Sequence, residues 1–268
     1  MPDLRRHLLD LRTRGHTAMG LFLTSGFPEP GATGPILDAL VAGGADFVEL
    51  GMPFSDPLAE GLPIQRASAR ALAHGVAMDD AFATARTFTA RHPGVPLVLM
   101  GYYNPVLQIG LDRFCAAAAA SGAAGLILPD LPPEEAAPLE EAARAHGLAL
   151  TFLVAPNTPD ARVASVAGRS TGFVYAVSTP GLTGQTLAAH DAIGAYLDRT
   201  RTLVGDAPLL VGFGIRTRDD AARLAAHTDG FIVGTALIEV CERLWDDPAL
   251  TDAERLAHVE AFVRGLVP

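Results

Sequence analysis

The sequence predicts an α/β fold, a single (β/α)8 TIM barrel over residues 1–268 with an extra N-terminal helix, and three observations carry that expectation. Eight short apolar runs recur along the chain: "MGLFLT", "FVELG", "PLVLMG", "GLILP", "LALTFLV", "GFVYAV", "PLLVG" and "GFIVG". Each is apolar on both faces rather than alternating, as parallel strands covered on both sides are. Helix-length amphipathic stretches separate the runs, and eight such alternations fit a closed barrel better than an open doubly wound sheet. The 268 residues, 49% hydrophobic, suit one barrel with a large core.

Taken in order, a helix over Leu4 to Thr13 precedes the first strand and would cap the bottom of the barrel. Further helices are expected over Glu29 to Val41, Pro63 to Ala73 (opened by its proline), Asp79 to Arg91, and Leu111 to Ala120 with its alanine run. The remainder are expected over Pro133 to Ala145, Pro159 to Val166, Asp191 to Arg201, Thr217 to Ala226 and Asp252 to Val263. The connections that follow strands are the unusual ones: "SGFPEPG", "GMPFSDPLAEG", "GYYNPVLQIG", "PDLPP", "APNTP", "VSTPGLTGQT" and "GFGIRTR". In barrels of this class the loops at the carboxyl ends of the strands carry the site, so chemistry is sought there.

Composition excludes several classes. Thirty acidic residues against twenty basic ones give a net charge of −10, which disfavours nucleic acid and anionic membrane as partners. The charged start "MPDLRRHLLDLRTRGH" and the absence of a long apolar run indicate no membrane span and a cytoplasmic protein. Cys115 and Cys241 read as buried free thiols. All twenty basic residues are Arg, so Schiff-base chemistry, which needs a Lys amine, is excluded for this chain. The histidines fall in helices or at helix ends, and no metal site is expected.

Two carboxylates stand out in "VELGMPFSDPLAEG", residues 48–61. Glu49 lies mid-strand, where lost hydration would push its pKa upward, the tuning a general acid or base needs near neutral pH. No strand carries an Arg to neutralise it. Glu60 ends a proline-bordered loop and by itself reads first as solvated surface charge, with a functional carboxylate as the lesser alternative. Glycines cluster after the seventh run, "GFGI" at Gly212 to Ile215, and after the eighth, "GTALIEV" at Gly234 to Val240, with Thr235 read as a helix N-cap. Free amides at such a helix start hold an anion without Lys, so these loops are read as a phosphate grip. "PGLTGQT", with Thr183 between Gly181 and Gly184, suits a lid.

"VELGMPFSDPLAEG", then "GYYNP", "LILPDLP", "VYAVSTPGLTG", "VGFGI" and "VGTA" in that order, resemble the tryptophan synthase α family over nearly the whole chain. The resemblance implies cleavage of indole-3-glycerol phosphate to indole and glyceraldehyde 3-phosphate. It implies no cofactor in this chain, and a pyridoxal-phosphate-bearing β chain as partner in an α2β2 assembly. It places the two catalytic acids on Glu49 and Glu60, the latter longer by a methylene than the family's usual Asp. It assigns Phe22, Met100, Tyr102, Ile127 and Tyr175 to the indole pocket, and Thr183, Gly184, Phe213, Gly214, Gly234 and Thr235 to the lid and phosphate positions. For Phe22 and Met100, core packing is an open alternative. A silent barrel that binds a phosphorylated ligand to regulate a partner, or another phosphate-gripping barrel enzyme, are the competing readings.

Overall fold

The computed structural model describes residues 3–177, 187–212 and 214–268, with backbone alone over 187–191. Eight parallel strands close in sequence order: β1 (Ala18–Thr24), β2 (Phe47–Gly51), β3 (Leu97–Met100), β4 (Gly125–Ile127), β5 (Ala149–Val154), β6 (Val174–Val177), β7 (Leu209–Gly212) and β8 (Gly230–Val233), which pairs back with β1. Each apolar run of the sequence contains one of them, except that β1 begins one residue ahead of its run, at Ala18.

The helix before the barrel is α1 (Leu4–Thr13), whose Leu4, Leu8 and Leu11 share one buried face. Its N-cap Asp3 accepts the Arg6 amide, and Leu4 packs against the backbone at Gly125 and Gly172, plugging the bottom as expected. The outer layer continues with α2 (Thr33–Gly43), α3 (Leu62–Ala73), α4 (Met78–Arg91), α5 (Tyr103–Ile109), α6 (Leu111–Ala120), α7 (Ala137–Ala145), α8 (Asp160–Arg169), α9 (Leu187–Val204), α10 (Arg218–Ala225), α11 (Thr235–Asp246) and α12 (Asp252–Arg264).

Several boundaries differ from the sequence expectation for local reasons. The helix expected from Glu29 starts at Thr33, because Glu29 precedes Pro30 and is biased away from helical backbone. The stretch from Pro133 divides into a 3-10 turn, Pro133–Glu135, and α7, because Pro138 can stand only in a first helical turn. The connection "GYYNPVLQIG" is not a loop throughout: it holds α5, with Pro105 in its first turn and Gly110 at φ 94° ending it. Thr235 is not an N-cap. Gly234 holds that position and Thr235 is the first helical residue of α11.

Inside the barrel, side chains alternate inward and outward along each strand. Phe47 and Phe173 fill the lower interior with ring centroids 5.9 Å apart, and Tyr175 lies one layer above at 5.8 Å from Phe173. Glu49 follows Phe47 by two residues and so occupies that same upper level. Cys115 and Cys241 are free and buried. No helix among the described residues is long and apolar enough to cross a membrane.

Candidate active site

Glu49 sits in the middle of β2, in register with Phe22 of β1 and Val98 of β3. It is fully buried, and neither carboxylate oxygen has a hydrogen-bond partner. Burial, and then the nearby Glu60 carboxylate, raise its pKa to about 8. Among the described residues no arginine or amide reaches either oxygen.

Glu60 is brought in by its loop rather than left in solvent. The loop is held from three sides: Glu60 N donates to Pro57 O at 3.0 Å, Gln65 Nε2 donates to Glu60 O at 2.9 Å, and Ala59 N donates to the Tyr102 hydroxyl at 3.1 Å. Tyr102 is itself stacked on Phe54, centroids 5.1 Å apart. The Glu60 residue is thereby buried, and desolvation raises its pKa to about 7. Tyr175, fully buried above Phe173, is kept a neutral phenol by burial and by Glu49 and Glu60.

These groups share a cavity of about 630 Å³ at the carboxyl ends of the strands. Of the residues expected from the sequence, Glu49, Glu60, Phe22, Met100, Tyr175, Gly214, Gly234 and Thr235 line it. Tyr102 and Ile127 are buried but do not line it: Tyr102 supports the Glu60 loop, and Ile127 pairs with Met100 and Thr151 in the sheet. Thr183, Gly184 and Phe213 lie outside the described residues. Lining residues the sequence reading missed include Leu58, Ile64, Leu153, Ile232 and Arg216. Leu153 and Ile232 are the penultimate residues of β5 and β8, whereas Leu58, Arg216 and Ile64 lie in the connections after β2 and β7 or in the helix that follows, with no signal of their own.

The two glycines of "GFGI" do different things. A Cβ on Gly212 would lie 2.3 Å from the Tyr175 hydroxyl oxygen, so this glycine makes room for that ring. Gly214, at φ 79°, turns the chain along the cavity wall. In the same cavity, α11 begins at Gly234 and Thr235 with no side chain capping its first turn. Its leading amides are therefore the available anion donors at this end of the cavity. The same cavity carries two carboxyl groups whose pKa values lie near neutrality, among apolar walls. The arrangement can hold an anion on those amides and move protons on the carboxyl groups, and no group of three or more metal-ligating residues forms among the described residues.

A family model described as tryptophan synthase alpha chain matches residues 8–266. The tryptophan synthase alpha chain of Chloroflexus aggregans is 47% identical over 96% of this chain and 94% of its own length. That of Geobacter sulfurreducens is 42% identical over 96% and 94%. Among solved structures, tryptophan synthase subunit alpha from Legionella pneumophila superposes with a TM-score of 0.88 at 36% identity, covering 99% of this chain and 98% of that one.

Proposed function

The chain belongs to the tryptophan synthase alpha chain family and is a carbon–carbon lyase that cleaves indole-3-glycerol phosphate to indole and glyceraldehyde 3-phosphate; we propose that Glu49 and Glu60 are its acid–base pair. The observation that carries this assignment is a buried Glu49 with no partner for either oxygen, beside a second buried acid in the same cavity.

With a pKa of about 8, Glu49 holds its proton at neutral pH and delivers it to indole C3. The ring becomes an iminium and can accept the electron pair of the bond to the side chain. Glu49, now a carboxylate, takes the proton from the adjacent side-chain hydroxyl; the carbonyl forms, the carbon–carbon bond breaks, and its electrons return to the indole. Glu60, with a pKa of about 7, ionises more readily and holds the N1 hydrogen as positive charge develops. No Schiff base is needed because the departing indole stores the electrons. Gly214, Gly234 and Thr235 hold the phosphoester, and the apolar walls Phe22, Met100, Ile64 and Ile232 exclude water around the ring. Thr183, Gly184 and Phe213 are assigned to the lid and phosphate positions on the family resemblance alone.

Family membership further supports a β chain as partner, in an α2β2 assembly with pyridoxal phosphate on the β side, and a cytoplasmic setting. We read the whole chain as one barrel domain. A catalytically silent barrel gains nothing from isolating two acids in this way. The test is indole release from indole-3-glycerol phosphate by the isolated chain, then with β chain added. Release by the wild type, accelerated by the β chain, is expected; an unaltered rate in Glu49→Gln removes Glu49 from the mechanism.

A further inference from the structure

Arg216 is the only basic side chain lining the cavity among the described residues. Among the described lining residues the charged side chains are Glu49, Glu60 and this one guanidinium. A phosphate monoester is a dianion near neutral pH, and here it enters a chain of net charge −10.

The backbone at Arg216 is fixed. Its amide donates to Asp220 Oδ2 at 3.2 Å, and Thr217 and Asp220 form a reciprocal capping box that starts α10. The side chain is the movable part. It forms an ion pair with Glu239 of α11, and both members are well exposed, 56% and 35%. Glu239 is four residues after Thr235, so it lies on the same helix face about one turn, roughly 5.4 Å, further along. The guanidinium is thus stationed along the helix whose first amides face the cavity.

An exposed ion pair is a weak tether, whereas a guanidinium on a phosphate makes paired charge-assisted hydrogen bonds. We infer that Arg216 is a phosphate-binding residue, held on Glu239 without ligand and transferred to the substrate's phosphate on binding. The inference rests on reading this cavity as the phosphoester site. It adds a cation to a grip that otherwise consists of backbone amides and a hydroxyl.

The test compares Arg216→Gln and Glu239→Gln in the full chain, by steady-state cleavage of indole-3-glycerol phosphate and by calorimetric titration with glycerol 3-phosphate. Arg216→Gln is expected to raise KM and the glycerol 3-phosphate Kd about tenfold or more, with kcat within about twofold and the charge-conserving Arg216→Lys restoring part of the loss. Glu239→Gln frees the arginine and is expected to lower both constants about two- to fivefold. A purely structural ion pair moves the two variants in the same direction, in melting temperature, and leaves KM and Kd unmoved; that outcome overturns the inference. Should the wild type fail to cleave the substrate, the reaction assignment falls, and the glycerol 3-phosphate titration still decides on Arg216.

Discussion

Asp46 and Glu49, three residues apart along one stretch of chain, meet opposite treatment. Asp46, at the lower rim just before β2, accepts the Met19 amide at 2.8 Å and pairs with His16 Nε2 at 2.9 Å. Glu49, one layer above the Phe47 ring, has nothing on either oxygen. The lower rim repeats its pattern at β8: Asp229, just before that strand, accepts the Leu209 amide at 2.8 Å and pairs with Arg201 at 2.5 Å. Each rim carboxylate thus ties its own strand to the preceding one and has a basic side chain beside it. At the upper end, burial without partners raises carboxyl pKa values toward neutrality. One end of the barrel spends its acids on holding strands together, and the other keeps its acids available at a cost in stability.

The largest test of that contrast is Glu49→Gln. Loss of the acid is expected to lower kcat by about a thousandfold, within the range for general acid–base groups. The same change should stabilise the fold at alkaline pH. Because folding raises this pKa from 4.5 to about 8, burial costs nothing through this group below pH 4.5, grows unfavourable between pH 4.5 and about 8, and stays at its full penalty above that. The limiting gain above pH 8 is on the order of 5 kcal/mol, at about 1.4 kcal/mol per pH unit, read by denaturant unfolding at pH 4 and pH 9. Equal stabilities of mutant and wild type at pH 9 would show that Glu49 is neutralised in the folded enzyme.

Next in size is Glu60→Gln, expected to cost about a hundredfold in kcat, with Glu60→Asp retaining or raising activity. Complete loss in Glu60→Asp would show that the loop clasped by Tyr102 and Gln65 suits only the longer acid. At the lower rim, Asp46→Ala should cost about 1–3 kcal/mol in unfolding free energy by leaving the Met19 amide unsatisfied, with kcat unchanged. A fall in kcat there would dissolve the division between the two ends. The smallest effect is the pH profile. Activity should fall about tenfold per pH unit below about 7, where Glu60 gains its proton, and above about 8, where Glu49 loses its own. The two values belong to the interacting pair, and substituting either acid should remove one limb.

Much of this was legible in the chain. The eight apolar runs predict eight strands because a strand covered on both faces must be apolar throughout, a local property. The motif "VELGMPFSDPLAEG" points to both acids, and the absence of Lys excludes Schiff-base chemistry without any coordinates. Other features were hidden. The helix Tyr103–Ile109 lay inside a stretch whose prolyl and glycyl residues read as loop. Gly212 looked like part of a phosphate grip and proves to be space for the Tyr175 ring.

The sequence by itself determined the barrel and the family and singled out the two acids proposed as the acid–base pair, because periodicity and motif are written in neighbouring residues. Only the tertiary structure decided that Glu49 has no partner, that Tyr102 supports the Glu60 loop rather than lining the cavity, and that Arg216 stands beside the start of α11. Burial, pairing and the pKa shifts that follow are properties of what lies across space from a residue. Strand register and loop path set those neighbours, and they bring together groups as far apart in the chain as Glu49 and Thr235.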